Sequence, residues 1–153
     1  MVCLLLLLCA MPCRADCVRL HVSAASDGQE DQEKKLLARD AVMDMARETV
    51  KGCGTAEEAL QALAARADSL SLLAGEAAGQ RARWEAGVFS FPETEYGDGV
   101  LPEGEYMALR ILLDGGKGHN WWCMLYPDLY PPIGENGDGI FRRLASFWLL
   151  WRG

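Results

Sequence analysis

Arg81-Ala82-Arg83-Trp84-Glu85-Ala86-Gly87-Val88 decides the fold. Ala82, Trp84, Ala86 and Val88 alternate with Arg81, Arg83 and Glu85, and a period of two belongs to a half-buried strand. Immediately upstream the period is longer. Leu60, Leu63, Ala67, Leu70, Ala74 and Ala77 recur at spacings of three and four, which puts them on one stripe of an amphipathic helix. Thr55 with Glu58 supplies a capping box at its start, and Gly75 and Gly79 weaken its end. The chain therefore changes from helix to sheet near residue 80.

The same reading extends in both directions. Cys17 to Val22 alternates, with Val18, Leu20 and Val22 on one face and Arg19 and His21 on the other, as in a strand. Ser26 with Gln29, or Asp27 with Glu30, forms a capping-box pattern before a first helix. That helix carries a stripe of Leu37, Ala41 and Met45 flanked by Ala38 and Val42, and Gly52-Cys53-Gly54 ends it. Beyond residue 88, Glu105 to Leu113 reads as a strand with Met107, Leu109, Ile111 and Leu113 on one side. Tyr106, Ala108, Arg110 and Leu112 lie on the other. Trp121 to Tyr126 makes a fourth strand, and Asp114-Gly115-Gly116-Lys117-Gly118 reads as the link between consecutive antiparallel strands. The order predicts a single α+β domain, with two N-terminal helices packed on a mainly antiparallel sheet of about four strands, plus a C-terminal helix.

With 153 residues, half of them hydrophobic, the chain can build one real core and has no room for a second ordinary domain. A net charge of −7 argues against non-specific binding to nucleic acid or an anionic membrane surface. Val2-Cys3-Leu4-Leu5-Leu6-Leu7-Leu8-Cys9-Ala10-Met11 is an apolar run too short for a comfortable membrane span and about right for a secretion signal. Residues 1–15 are read as a signal peptide or an N-terminal membrane anchor, 16–130 as the folded domain, and 131–153 as a Pro/Gly-rich linker and apolar helix. In that last segment Ile140, Leu144, Phe147 and Trp151 share a stripe that can close the core, rest on a membrane interface or contact a protein. Cleavage after Ala15 leaves Cys17, Cys53 and Cys123, an odd number, so at least one thiol is free or paired between chains.

Lys117-Gly118-His119-Asn120-Trp121-Trp122-Cys123 joins a glycine-rich loop to two adjacent tryptophans. Neighbours on a strand point to opposite faces, so one tryptophan anchors a core and the other packs elsewhere or meets a partner. His119 and Cys123 on one strand lie roughly 13 Å apart, too far for a nucleophile and its base. Gly115-Gly116-Lys117-Gly118 lacks the Ser/Thr and following helix of a phosphate loop. No Ser/His/Asp set, metal set or cofactor motif can be assembled, and the pattern points to recognition rather than catalysis.

Several segments together resemble the stage II sporulation protein R family of endospore-forming bacteria. They are Val18-Arg19-Leu20-His21-Val22, Ser26-Asp27, Glu30-Asp31-Gln32, Arg39-Asp40-Ala41-Val42, Phe91-Pro92, Tyr96-Gly97 and Leu101-Pro102-Glu103-Gly104-Glu105-Tyr106 with Ala108-Leu109-Arg110. Gly116-Lys117-Gly118 and Asn120-Trp121-Trp122-Cys123 complete the set, which runs in the family's order from Val18 to about Leu129. The resemblance implies a signalling protein made in the forespore and secreted into the space between forespore and mother-cell membranes. There it activates a membrane-embedded aspartic peptidase that processes the sigma-E precursor. Ala25 stands where the family usually has Asn, and Tyr126-Pro127-Asp128-Leu129-Tyr130 replaces a usual Phe-Pro-Pro-Leu-Cys ending, so Tyr130 removes a cysteine that could partner Cys123.

The candidate partner-binding residues are Arg19, His21, Ser26, Asp27, Phe91, Tyr96, Tyr106, Arg110, Lys117, Asn120, Trp121 and Trp122. Arg19, His21 and Arg110 stand out, because polar side chains opposite an apolar strand face must meet water or a partner. A rival reading is a cell-envelope hydrolase using Glu93, Glu95, Glu103 and Glu105. A third is an envelope protein resting its tail on a membrane through Trp148 and Trp151.

Overall fold

The computed structural model describes residues 14–96 and 99–127. The N-terminal apolar run, the linker and the C-terminal helix read from the sequence lie outside the described residues. The elements are β1 (Arg14–Ser23), α1 (Gln29–Val50), α2 (Ala56–Ala65), α3 (Ala67–Ala78), β2 (Ala82–Phe91), β3 (Thr94–Tyr96), β4 (Gly99–Leu101), β5 (Gly104–Leu113) and β6 (Asn120–Tyr126). The architecture is α+β. A four-stranded sheet has the order β2-β5-β1-β6, and β3 with β4 forms a separate hairpin.

The sheet is mixed. β5 runs parallel to β1 and antiparallel to β2, and β6 runs antiparallel to β1. The link from β5 to β6 is therefore not the hairpin that its glycines imply. β1 lies between the two strands, so residues 114–119 must cross two strand spacings, about 10 Å, over the C-terminal end of β1. Gly116 makes that crossing with φ +63°, and a Cβ there would lie 2.7 Å from Leu112 Cδ2 and 3.2 Å from Ser23 Cβ. Close approach, rather than a tight turn alone, is what the glycine serves.

All three helices cover one face. α1 packs beside β6, α2 over the central strands and α3 over β2. Val18, Leu20 and Val22 from β1, and Met107, Leu109, Ile111 and Leu113 from β5, face them in the main core. Leu63, Ala67, Leu70 and Ala74 all bury as their spacing predicts, but on two helices, because the chain breaks at Arg66. One straight helix over 56–78 would run about 34 Å, longer than four strands are wide, and the break keeps the stripe on the sheet. Trp84 Nε1 donates to Asp68 Oδ1 at 2.7 Å and ties α3 to β2.

The stripe of α1 is rotated from the expected one. Lys35, Ala38, Val42, Met43, Ala46 and Val50 are buried, whereas Leu37 is 55% exposed. The anticipated capping box at 26/29 or 27/30 does not form either. Gly28 is the N-cap without a side-chain bond, and Ser26 and Asp27 are engaged elsewhere. The second box does form: Thr55 Oγ1 accepts the Glu58 N–H at 3.1 Å, and Glu58 accepts the Gly54 N–H at 2.8 Å.

Candidate functional site

The sheet face opposite the helices carries the site. Alternation along β1 sends Arg19, His21 and Ser23 to this face while Val18, Leu20 and Val22 fill the core. β5 adds Tyr106, Ala108 and Arg110, and β6 adds Trp122 and Met124. On a two-layer fold this face would meet water. Here it is roofed.

Register explains how. Phe91 pairs with Gly104, whereas His21 pairs with Arg110, six positions further along β5 and about 20 Å away on an extended strand. Yet the Phe91 ring stacks on the His21 ring at 4.4 Å between centroids and 10° between planes. The end of the β2–β5 ribbon must therefore curl back over the sheet. Leu101, at the end of β4, joins Cys17, Tyr106 and Met124 in a second small core beneath the curl, with Phe91 and Trp122 against it. Tyr106 Oη donates to the Pro102 carbonyl at 2.7 Å and holds the returning chain.

Inside lies a boxed cation. The Arg19 guanidinium carbon is 3.6 Å from the Tyr106 ring centroid, 4.7 Å from Trp122 and 4.9 Å from Phe91. Arg19 is 1% exposed and His21 2% exposed. Each ring contact to a desolvated cation stabilises it by up to about 2 kcal/mol. Against that, removing a charge from water costs several kcal/mol, roughly, and each buried unpaired donor adds about 1–3 kcal/mol. Arg19 Nε and Nη2 and His21 Nε2 are buried without a hydrogen-bond partner. The rings offset part of the penalty and leave the donors unanswered.

Burial pulls the Arg19 guanidinium below its usual value, opposed by Tyr106 and Cys17. The His21 pKa is lowered to about 3, first by burial and then by the positive charges of Arg19 and Arg110. Asn120 Nδ2 lies 2.6 Å from His21 Nδ1, so the amide donates to a bare Nδ1 and the ring's proton sits on Nε2. Arg110 pairs with Glu85 at 3.2 Å and lies 4.9 Å from the Phe89 ring centroid. Of the two alternatives read for Arg19 and His21, water or a partner, the first is not met: the curled ribbon covers both with rings of their own chain.

A clamp adjoins the box through Asn120. Asp27 Oδ1 accepts the His119 backbone N–H at 2.7 Å and lies 2.6 Å from its Nδ1. Those contacts, the backbone N–H first, hold the Asp27 carboxyl below its usual range. Ser26 Oγ donates to Asp31 Oδ2 at 2.6 Å, and Gln80 Nε2 donates to Asp31 Oδ1 at 2.8 Å. The buried Lys35 donates to the His119 carbonyl at 3.2 Å and to Gln32 Oε1. Gly118 donates its N–H to the Ala24 carbonyl at 2.8 Å. The 114–119 crossing is thereby fastened to the β1–α1 turn.

Seven of the candidates, Arg19, His21, Phe91, Tyr106, Arg110, Asn120 and Trp122, converge on the roofed face. Ser26 and Asp27 build the clamp, and Lys117 is exposed on the loop it fastens. Trp121 lies on the helix side, against the main core and 5.4 Å below the Arg39 guanidinium. The paired tryptophans divide as the strand pleat requires. Tyr96 has its backbone in β3, and its side chain lies outside the described residues. Sequence reasoning assigned no site role to Asp31, Lys35, Gln80 or Glu85. Their partners are distant in sequence, and no local pattern marks them.

Glu93, Glu103 and Glu105 are exposed, and a shallow depression of about 260 Å³ lined by Ser90, Phe91, Pro92, Glu103 and Gly104 holds one carboxylate. Among the described residues Cys17, Cys53 and Cys123 form no disulfide, and burial pushes the Cys123 thiol up to about 12. Among the described residues no group of three His, Cys, Asp or Glu could hold a metal ion, and no helix is long and apolar enough to cross a membrane.

Several of the segments that built the resemblance to stage II sporulation protein R, among them those with Arg19 and His21, Ser26 and Asp27, Phe91, Tyr106, Gly118 and Trp122, supply the box and the clamp, and the family's sequence profile matches residues 14–131. The chain belongs to the stage II sporulation protein R family. It is 35% identical over 128 residues to the stage II sporulation protein R of Bacillus subtilis (strain 168), an alignment covering 80% of this chain and 57% of that relative. The chain thus spans a little over half the length of the curated relative it matches. No solved structure matches it. Membership of the stage II sporulation protein R family supports a role in sporulation.

Proposed function

We propose that this chain is a secreted intercompartmental signal of endospore formation. It leaves the forespore, enters the space between the forespore and mother-cell membranes, and activates a membrane-embedded aspartic peptidase that processes the sigma-E precursor. It acts by binding and performs no chemistry of its own. Family membership supports the sporulation role. The observation that carries the binding reading is the use to which the motif residues are put. Ser26, Asp27, Gly118 and Asn120 fasten one loop, and Phe91, Tyr106 and Trp122 enclose Arg19, so the motifs build a closed surface instead of an open cleft.

Activation by binding requires preference. A ligand with equal affinity for two states shifts neither, and driving a peptidase from 1:99 to 99:1 takes about 10⁴-fold tighter binding to the active arrangement. A loop fastened by such bonds suits that task, because less ordering entropy is lost on docking. A hydrolase reading would draw support from a buried carboxylate pair, and the exposed Glu93, Glu103 and Glu105 weigh against it. The test is association of the full chain with its detergent-solubilised cognate peptidase. Saturable binding that favours the peptidase's active arrangement upholds the reading. Absence of binding, or equal binding to active and inactive forms, overturns it.

A further inference from the structure

Arg19 presents an unanswered edge. Its two unpaired nitrogens, Nε and Nη2, are not scattered over the guanidinium. They form its side-on fork, the edge that receives a carboxylate through two parallel N–H···O bonds. His21 Nε2 is a third unpaired donor, two positions along the same face of β1. Its proton is fixed there by Asn120, which occupies Nδ1. Phe91 lies against both side chains, so the two residues that carry these donors share one ring. Arg110 adds positive charge nearby, and its partner Glu85 faces it rather than Arg19.

Buried polar groups in native proteins nearly always find partners, and those that do not call for an explanation. A structural cation would be expected to keep a carboxylate beside it, since a charge left unpaired in an apolar site is costly. This one has aromatic faces at 3.6, 4.7 and 4.9 Å instead. Rings over a guanidinium cover its faces and leave its edge to find an acceptor, and an edge held between rings suits a planar group better than a tetrahedral one. Two walls of the box, Phe91 and Trp122, are only half-buried. The depression lined by Ser90, Phe91, Pro92, Glu103 and Gly104 lies on Phe91, the wall it shares with the box.

We propose that the Arg19–His21 box is a binding site for a carboxylate carried by a partner peptide, with Phe91 as its movable wall. The carboxylate accepts from Arg19 Nε–H and Nη2–H, and His21 Nε2–H donates to the nearer oxygen. Only the identity of the peptide rests on the signalling reading; the site itself does not. An acidic side chain and a chain terminus present the same chemistry, and the experiment separates them.

The test is the Arg19 Nε–Hε resonance of the ¹⁵N-labelled full chain, assigned by its loss in Arg19→Lys. Sodium acetate is titrated against sodium chloride and sodium phosphate at constant ionic strength. The expected result is a saturable downfield shift of the Arg19 Hε signal with acetate alone, while the Arg110 signal stays in place. Phe91→Ala, at a half-buried position, opens the wall and should reach half-saturation at lower acetate. No shift in either protein, a shift shared by chloride, or preference for phosphate overturns the proposal. So does a ligand-free signal already far downfield and unmoved by acetate, since Arg19 would then have an acceptor of its own. Short peptides follow: one with a free C-terminus, its amidated form, and an end-blocked peptide containing Glu. Binding by either carboxylate form, weakened about tenfold or more in Arg19→Gln, names the source. The titration contains no peptidase, so the site can fail with activation intact, and activation can fail with acetate bound.

Discussion

Asp27 and His119 stand 92 positions apart, and one carboxylate oxygen of Asp27 meets both the backbone N–H of His119, at 2.7 Å, and its ring Nδ1, at 2.6 Å. That oxygen closes the crossing loop onto the turn before α1. Because the folded carboxyl is held below its usual value, its contribution is present above the unfolded pKa and is lost as pH falls through the folded one. Asp27→Ala should speed amide exchange at His119 and across residues 116–119 at neutral pH. Acidifying the unaltered chain to below the usual carboxylate range should lower the protection factor of the same amides, their slower intrinsic exchange at low pH being divided out. Unchanged exchange at His119 in the variant would show that the clamp does not depend on Asp27.

Gly118 allows the crossing to pass close to the turn. A Cβ there would lie 2.2 Å from the Ser26 carbonyl oxygen, a backbone atom with no side chain to swing away. Gly118→Ala should cost about 2–3 kcal/mol in denaturant unfolding. Gly52→Ala is the control. Gly52 has φ +83° but nothing within 4 Å, so the strain of a left-handed residue alone should cost about 1 kcal/mol. Equal losses at the two sites would contradict the close-approach argument.

His21 should make stability depend on pH. Its pKa is about 3 folded and about 6.5 unfolded, so between those values the unfolded chain binds a proton that the folded chain refuses. Stability from this group is complete above about pH 6.5 and falls by up to about 1.4 kcal/mol per pH unit as pH drops toward 3. Denaturant unfolding at pH 7.5, 6 and 5 should show that slope in the unaltered chain. His21→Phe should flatten it. A slope of the same size in the variant would assign the dependence to other groups.

Cys123 is buried in the main core and its thiol is pushed up to about 12, so it stays protonated and inert at neutral pH. Of Cys17, Cys53 and Cys123, a thiol reagent at pH 8 should modify the half-buried Cys53 first. Cys123 should react only at the rate of global unfolding. Rapid modification of Cys123 in the folded chain would contradict its placement.

The sequence makes one face of this sheet plain and hides the other. Val18, Leu20, Val22, Leu109 and Ile111 could be placed by period alone, because one-sided burial writes itself into every second residue. Arg19 and His21 read by the same rule as meeting water or a partner, and the rule could not show their cover, which comes from a curl at the far end of β2 and β5. No local pattern encodes a ribbon that turns back across about 20 Å. The glycines at 116 and 118 were visible as a loop, but a hairpin and a crossing use the same residues, and only the pairing of β1 between β5 and β6 separates them. Leu37 misled for a simpler reason. Lys35 occupies a core-facing position of α1, since its amine reaches Gln32 and the His119 carbonyl at the rim, and a hydrophobic count cannot anticipate a buried lysine. Of the site, the motif segments were legible and their partners were not, because Asp31–Gln80 and Asn120–His21 span 49 and 99 positions.

The most direct measurement is co-expression, in a non-sporulating host, of this chain with its cognate peptidase and the sigma-E precursor, following precursor cleavage with and without the chain. The account predicts cleavage only when the exported chain is present, weakened by Gly118→Ala at equal protein level. Cleavage that proceeds equally without the chain, or none with all three partners present and the chain shown to be exported, would contradict it.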